Sequence, residues 1–220
     1  IETLGCAAVP GKDGSVTIYG SMQCPFYVPK AVSTVMGLPY SKVRVIQTAT
    51  GGAFGGKEDV PSEFCSKAAV PAQKTGHPIK IILTREEDIY MTSKRHPFDV
   101  KIKVGARKDG KLVGIEVLAL ADSGAYATLS PVVIFRATIH AAGGYIVPNV
   151  HVDVYGIYTN NMPSGAFRGF GSPQVHFAIE SIMDELAEKL GIDPIELRLK
   201  NALKLGSRTC TDQLLKESVG

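Results

Sequence analysis

Two short segments place phenylalanine residues between glycines, and both have the composition of a ligand-binding loop. The first glycine loop is GGAFGGKED, residues 51–59, and the second glycine loop is GAFRGFG, residues 165–171. Glycine has no Cβ and adopts positive φ, so such a loop can bring its backbone N–H groups close to a flat or charged ligand. Alternatively, each segment is a tight turn that binds nothing, since glycine clusters mark turns in general.

The spacing of the first glycine loop does not match the common nucleotide-binding motifs. A P-loop requires Gly, four residues and then Gly-Lys-Ser/Thr, whereas Lys57 is followed by Glu58 where the hydroxyl residue that binds magnesium should stand. The dinucleotide fingerprint needs glycines at relative positions one, three and six, and the glycines at 51, 52, 55 and 56 cannot supply them. Neither nucleotide motif fits.

Composition places the chain among ordinary globular proteins. It has 220 residues, of which 45% are hydrophobic and 20% charged, and its net charge is +3. This usage argues against disorder and coiled coil, and the scattered basic residues do not suggest nucleic acid as a partner.

No apolar run reaches the roughly 18 residues of a membrane span, and no signal peptide begins the chain, so a cytoplasmic location is expected. The four cysteines show no Cys-x-x-Cys spacing, so neither zinc nor an iron–sulfur cluster is expected.

The elements around the loops are predicted from periodicity and punctuation. A strand at 43–48, the first glycine loop, a helix near 60–75 and a strand at 78–84 form a β-loop-α-β unit. An earlier strand at 15–20 precedes a short helix at 27–37. Residues 99–122 alternate around Asp109-Gly110 and predict an antiparallel hairpin.

The second half of the chain contains the strongest helical pattern. Between 123 and 170 the composition predicts mostly loops. A helix then begins at Ser172 and ends at Gly191, and a second begins at Pro194, after an Asp193 cap, and continues to about Leu203. The polar tail after Gly206 is expected to fray.

Four segments together resemble the molybdenum hydroxylases, the family of xanthine dehydrogenase and aldehyde oxidase. They are QCPFYVPKAV, GGAFGGKED, TREEDIYMTSKRHPF and SGAFRGFGSPQVHFAIESIMDELAEKLGIDPIELRLKN, and with their spacing they cover nearly the whole chain. The resemblance implies an α+β (mixed α/β) fold of the molybdopterin-binding type, with mixed sheets and packed helices. Residues 1–206 are expected to form part of the first molybdenum-cofactor domain, with 207–220 as the tail.

The resemblance also implies a molybdopterin cofactor, as such or as its cytosine dinucleotide, that carries molybdenum. The pterin holds the metal, so no side chain is expected to ligate it. Gln23 matches the glutamine whose amide hydrogen-bonds a molybdenum oxygen, and a neutral donor suits that role. Phe54 and Gly55 match the loop whose backbone N–H groups lie against the cofactor, with Phe54 closing the pocket against water. Arg168 matches a cofactor-adjacent position.

Three residues match positions that contact purines in the xanthine-oxidising branch, namely Glu58, Arg136 and Phe170. A carboxylate can pair with ring N–H groups, a guanidinium can stabilise negative charge on a heterocycle, and a phenyl ring can stack on it. Gln23, Glu58 and Arg136 are therefore the expected catalytic residues. Aldehyde-oxidising relatives usually have apolar residues where Glu58 and Arg136 stand, so a purine-like substrate is favoured over an aldehyde, an aromatic acid or a thioester. Without the motif match, Glu58 is by default an acid that interacts with the helix dipole in a first turn, and Arg136 is equally well a structural residue paired with a carboxylate.

The resemblance finally implies that the chain is part of a larger molybdenum-binding subunit. The family's catalytic glutamate and most of its pterin contacts come from a later segment, so the isolated chain is expected to be inactive. Electrons must leave through iron–sulfur clusters and FAD in partner domains or subunits, for which this chain has no ligands. The rival hypothesis is a non-catalytic scaffold module whose glycine loops are only turns.

Overall fold

The computed structural model describes residues 2–219, and within them the chain forms seven strands and six helices. This is the mixed α/β fold expected from the sequence. The backbone divides into two compact units, which are described separately below. The first unit comprises Ile1–Arg95, Ala125–Leu129 and Asn160–Arg168, and the second comprises His96–Gly124, Ser130–Thr159 and Gly169–Gly220.

The first unit is built on a four-stranded mixed sheet of order β3-β2-β1-β4. Strands β2 and β3 are parallel, whereas β1 is antiparallel to both of its neighbours. The strands are β1 (Gly5–Pro10), β2 (Val16–Gly20), β3 (Val43–Gln47) and β4 (Ile79–Ile82). The helices are α1 (Tyr27–Met36), α2 (Val60–Thr75) and α3 (Arg85–Met91).

Helix α2 packs on this sheet through small side chains. Ala68, Ala69 and Ala72 are completely buried on the face that meets β1 and β2, and Phe64 fills the space beside them. Because alanine leaves little volume between backbones, the helix lies close to the strands. The predicted β-loop-α-β unit is confirmed, with β3 and β4 at opposite edges of the sheet. The first glycine loop therefore follows the carboxyl end of an edge strand and leads into α2.

The second unit contains a three-stranded sheet of order β5-β6-β7. The strands are β5 (Phe98–Ala106), β6 (Leu112–Gly124) and β7 (Val150–Tyr158), and the helices are α4 (Ser130–His140), α5 (Ser172–Leu190) and α6 (Pro194–Asn201). Strands β5 and β6 form the predicted antiparallel hairpin, and β6 pairs with β7 in parallel. Gly110 provides the positive φ of +84° in the hairpin turn.

The two helices predicted near the carboxyl end are confirmed. In α5, Val175, Ile179, Met183 and Ala187 are buried at four-residue intervals, and Gly191 ends the helix in the left-handed conformation. The Asp193 carboxylate accepts hydrogen bonds from the backbone N–H groups of Ile195 and Glu196, which caps α6.

The prediction that residues 123–170 are mostly loop overlooked two regular elements. This stretch contains helix α4 and strand β7. The α4 segment SPVVIFRATIH is rich in β-branched residues, which lowers its helix propensity. Val133 and Ala137 are both buried, Ala137 in the core of the second unit, and this burial outweighs that preference. Strand β1 and helix α3 were also not predicted, although Thr84 and Glu87 form a capping box at the start of α3.

Residues after Gly206 form a short hydrogen-bonded loop. The Gly206 N–H donates to the Leu215 carbonyl at 2.8 Å, and the Leu215 N–H donates to the Ser207 carbonyl at 2.9 Å. The boundary at 206 and the fraying of the tail stay predictions. None of the helices in residues 2–219 combines the length and apolar character needed to cross a membrane.

Candidate functional site

The first glycine loop contains two overlapping turns, and the first of them includes a residue with a strained backbone. The Gly56 N–H donates to the Ala53 carbonyl at 2.9 Å, and the Glu58 N–H donates to the Gly55 carbonyl at 3.2 Å. Phe54 has a φ of +53°, which is unusual for a residue with a Cβ, and Gly55 follows at +98°. Such strain costs about 1–3 kcal/mol and is found mainly where function requires it.

The loop keeps three consecutive backbone donors available. Within residues 2–219, the structure shows no hydrogen bond from the N–H groups of Gly52, Ala53 or Phe54. Adjacent unpaired N–H groups in a turn form a concave site for electronegative atoms. The Gly55 N–H, expected to lie against a cofactor, donates to a side chain of the protein instead.

That side chain is Gln23, which lies between β2 and α1. Its Oε1 accepts hydrogen bonds from the backbone N–H groups of Gly55 at 2.8 Å and Lys57 at 3.4 Å. Because two donors fix the position of the oxygen, the amide NH₂ must point away from the loop. The side chain is exposed, and among the described residues its NH₂ has no hydrogen-bond acceptor. The Gln23 NH₂ is therefore a neutral donor with a fixed direction.

Part of the second glycine loop lies directly against the first. A Cβ on Gly55 would stand 2.7 Å from the Ala166 carbonyl oxygen, so only glycine fits there. The Arg168 guanidinium lies 5.6 Å from the centre of the Phe54 ring, within cation–π range. Arg95 supports this contact, because it donates to the Arg168 carbonyl at 2.6 Å and stacks on Phe167 at 4.5 Å.

Phe54 and Arg168 line a common cavity of about 650 Å³ within the first unit. Residues 54 and 168 had to share a cavity for the predicted cofactor site to be possible, and this requirement is met. The Phe54 ring is 61% exposed in this chain, with Arg168 over one face. Its expected role in excluding water stays a prediction.

The expected substrate residues are divided between the two units. Glu58 is half-buried in the turn before α2, close enough to Cys24 to help raise the pKa of that thiol, although burial is the larger cause. Arg136 and Phe170 lie in the second unit, where the guanidinium is 5.6 Å from the ring centre. A Cβ on Gly171 would stand 2.2 Å from the Val133 carbonyl oxygen. This close approach to α4 places Phe170 beside Arg136.

Sequence reasoning missed the contacts that hold the first glycine loop. Lys57 is only 4% exposed and forms an ion pair with Glu2. Hydrogen bonds from Lys57, then from Ser21 and from the Gly51 N–H, lower the pKa of Glu2 to about 2. A lysine in a glycine-rich loop gave no sign of burial, and its partner lies 55 residues away in the chain.

Comparison with known proteins identifies the family of the chain. The family model of the molybdopterin cofactor-binding domain matches residues 1–202. The chain belongs to this family. The resemblance to the molybdenum hydroxylases is thereby confirmed. Among residues 2–219, no three His, Cys, Asp or Glu side chains lie close enough together to hold a metal ion.

Family members with established names match almost the whole chain. The nicotinate dehydrogenase large molybdopterin subunit of Eubacterium barkeri is 47% identical over 208 residues, which cover 94% of this chain and 48% of that subunit. A probable xanthine dehydrogenase subunit from Bacillus subtilis is 42% identical over 93% of this chain and 27% of its own length. Aldehyde oxidoreductase from Desulfovibrio gigas superposes with a TM-score of 0.88 and 32% identity, over 96% of this chain and 23% of that one. This molybdopterin-binding chain thus spans half or less of the length of these relatives.

The residues present fit a molybdopterin group. Its oxygen-rich metal centre needs hydrogen-bond donors rather than side-chain ligands. The Gln23 NH₂ and the N–H groups of Gly52, Ala53 and Phe54 are donors of this kind, and all four lie on the first glycine loop or are fixed by it.

Proposed function

We propose that this chain is the part of a molybdenum hydroxylase that contacts the metal end of molybdopterin and binds an electron-poor N-heterocycle for oxidation. The observation that carries the proposal is the Gln23 amide, whose oxygen is held by the first glycine loop and whose NH₂ is left as a donor. When bound, the cofactor supplies the two-electron oxidation, with an oxygen atom that comes from water. Gln23 and the Phe54 N–H orient its oxygen atoms, and Arg168 with Phe54 flanks it.

Three side chains recognise the substrate in this proposal. Phe170 stacks on the heterocycle, and Arg136 stabilises the negative charge that develops on the ring. The closeness of Arg136 to Phe170 supports this division of roles, because the guanidinium lies 5.6 Å from the centre of the ring. Glu58 accepts a hydrogen bond from a ring N–H.

The relatives' names favour a heterocycle but differ in detail. The two similar subunits are named for nicotinate and xanthine, whereas the solved structure is named for aldehydes. Arg136 and Glu58 are charged groups that an aldehyde does not need, which supports a purine-like or pyridine-like substrate. An aldehyde, an aromatic acid or a thioester is the alternative.

The remaining parts of the enzyme belong to the proposal as well. The rest of the molybdenum-binding subunit completes the pterin site and supplies the glutamate base, so the isolated chain is inactive. Partner domains or subunits hold the iron–sulfur clusters and FAD, and the complex is cytoplasmic. The cofactor is molybdopterin or its cytosine dinucleotide.

A substrate screen of the complete enzyme tests the proposal. Hypoxanthine, nicotinate and benzaldehyde should be compared in the native enzyme and in Glu58→Ala, with molybdenum content measured in both. We expect the heterocycle rates to fall at unchanged molybdenum content. Glu63→Ala is the matched control, because Glu63 is an exposed acid one turn into α2. An unchanged heterocycle rate in Glu58→Ala would defeat the proposed role, and absence of molybdenum from the native protein would favour a scaffold module.

A further inference from the structure

The Glu2 carboxylate connects the two ends of the first glycine loop. One oxygen forms the ion pair with the buried Lys57 ammonium, and the other accepts a hydrogen bond from the Gly51 N–H. A Cβ on Gly51 would stand 2.5 Å from that second oxygen, so the carboxylate packs directly on the backbone. The six residues from Gly51 to Gly56 are therefore closed into a loop by one side chain.

Because Lys57 is buried, its charge must be compensated by nearby groups. Lys57 is 4% exposed, and a buried ammonium is stable only when it is paired and hydrogen-bonded. Lys57 Nζ meets both conditions, since it also donates to the Ser21 hydroxyl at 3.0 Å. Removing either charge leaves the other without its partner, and the loop end loses its fixed position.

The backbone of Lys57 carries this constraint to Gln23. The Gln23 N–H donates to the Lys57 carbonyl at 2.7 Å, and the Lys57 N–H donates to the Gln23 side-chain oxygen. Lys57 is thus held by Glu2 through its side chain and holds Gln23 through its peptide groups. A shift of Lys57 must change the direction of the Gln23 NH₂.

We propose that Glu2 and Lys57 are positioning residues, which act through the first glycine loop to aim the Gln23 amide at the cofactor. This inference rests on the proposed function, because the direction of the Gln23 amide affects catalysis only if Gln23 contacts the molybdenum centre. The ion pair does not contact substrate.

Three variants of the complete enzyme test the inference. Glu2→Gln keeps an oxygen for the Gly51 N–H and removes the charge, whereas Lys57→Met keeps the length of the buried chain. Lys67→Met is the control, because Lys67 forms an exposed ion pair with Glu63 on the neighbouring helix. For each we would measure kcat, KM, molybdenum content, the electron paramagnetic resonance signal of the partly reduced molybdenum, and hydrogen exchange of residues 51–57.

We expect kcat to fall about tenfold or more in both loop variants at unchanged KM, as is typical when support of a metal-centre contact is lost. The resonance signal should change shape, and exchange should accelerate in residues 51–57 while the rest of the first unit stays protected. The control should match the native enzyme. Unchanged kcat and resonance signal in both variants, or loss of protection throughout the unit, would overturn the inference. Hydrogen exchange can be measured without turnover. If the complete protein has no hydroxylase activity, the proposed function is wrong. Faster exchange confined to residues 51–57 in the variants would still show that Glu2 and Lys57 anchor the loop.

Discussion

Replacing Gly55 with alanine should separate the two glycine loops. Gly55 has a φ of +98°, and its Cβ position lies 2.7 Å from the Ala166 carbonyl oxygen and 2.9 Å from the Phe167 nitrogen. Both neighbours are backbone atoms, so a rotamer change cannot relieve the clash. Either the loops move apart or the first loop adopts another conformation.

The structure sets the size of the effect. The backbone conformation costs a non-glycine residue about 1–3 kcal/mol. Overpacking against fixed atoms costs about 1–3 kcal/mol more. The sum of about 2–6 kcal/mol is a large part of the 5–15 kcal/mol that stabilises a typical domain.

A second glycine in the same unit provides the control. Gly76 caps α2 with a φ of +69°, and no atom lies within 4 Å of its Cβ position. Gly76→Ala should therefore lower the free energy of unfolding only by the conformational strain of about 1–2 kcal/mol. The added methyl group restricts the unfolded chain equally in both variants, so that effect cancels in the comparison.

Urea unfolding of the complete subunit measures the difference, together with its molybdenum content. We expect Gly55→Ala to be at least about 1 kcal/mol less stable than Gly76→Ala, because overpacking is the added cost, and to retain less molybdenum. Equal stabilities and equal metal contents in the two variants would show that contact between the loops is not needed at Gly55.

Three further changes have defined outcomes. Arg136→Met should lower rates on heterocycles more than on benzaldehyde in a substrate screen, because only the former develop ring charge; equal losses would contradict the role of Arg136. Asp193→Ala should lower the free energy of unfolding in urea by about 1 kcal/mol, because the α6 cap is lost, whereas Asp193→Asn should retain most of the stability that the cap provides. Burial raises the pKa of Asp59, so the folded state holds a proton more tightly than the unfolded state. The native protein should gain stability relative to Asp59→Asn as the pH falls from neutral through this raised pKa. If the difference between the urea midpoints of the two proteins stays constant with pH, the pKa of Asp59 is not raised.

Elements with local signals were predictable from the sequence. The α5 helix has its apolar residues at helical spacing, α6 has a cap and a proline at its start, and the β5-β6 hairpin has an Asp-Gly turn. In each case the residues that decide the structure are neighbours in the chain. Helix α4 was missed because its stability comes from distant packing partners rather than from its own β-branched residues.

The candidate site was predictable only in part, for the same reason. Glycine content marked both loops, but the contact of Gly55 with Ala166 joins residues far apart in the chain. The role of Gln23 came from family resemblance, and the hydrogen bonds that direct its amide became visible only in the structure. Burial of Lys57 had no local signal, because its partner Glu2 lies 55 residues earlier in the chain.

The backbone passes between the two units five times, at 95/96, 124/125, 129/130, 159/160 and 168/169. Cutting the chain at one position cannot release either unit as a continuous polypeptide. Neither unit can therefore be expressed alone as one segment or exchanged by recombination at a single point. The last crossing falls inside the second glycine loop, between Arg168 and the Gly169–Gly171 stretch. Arg168 and Phe170 therefore belong to different units although a single residue separates them in the chain, so an exchange of either unit needs a junction inside this loop.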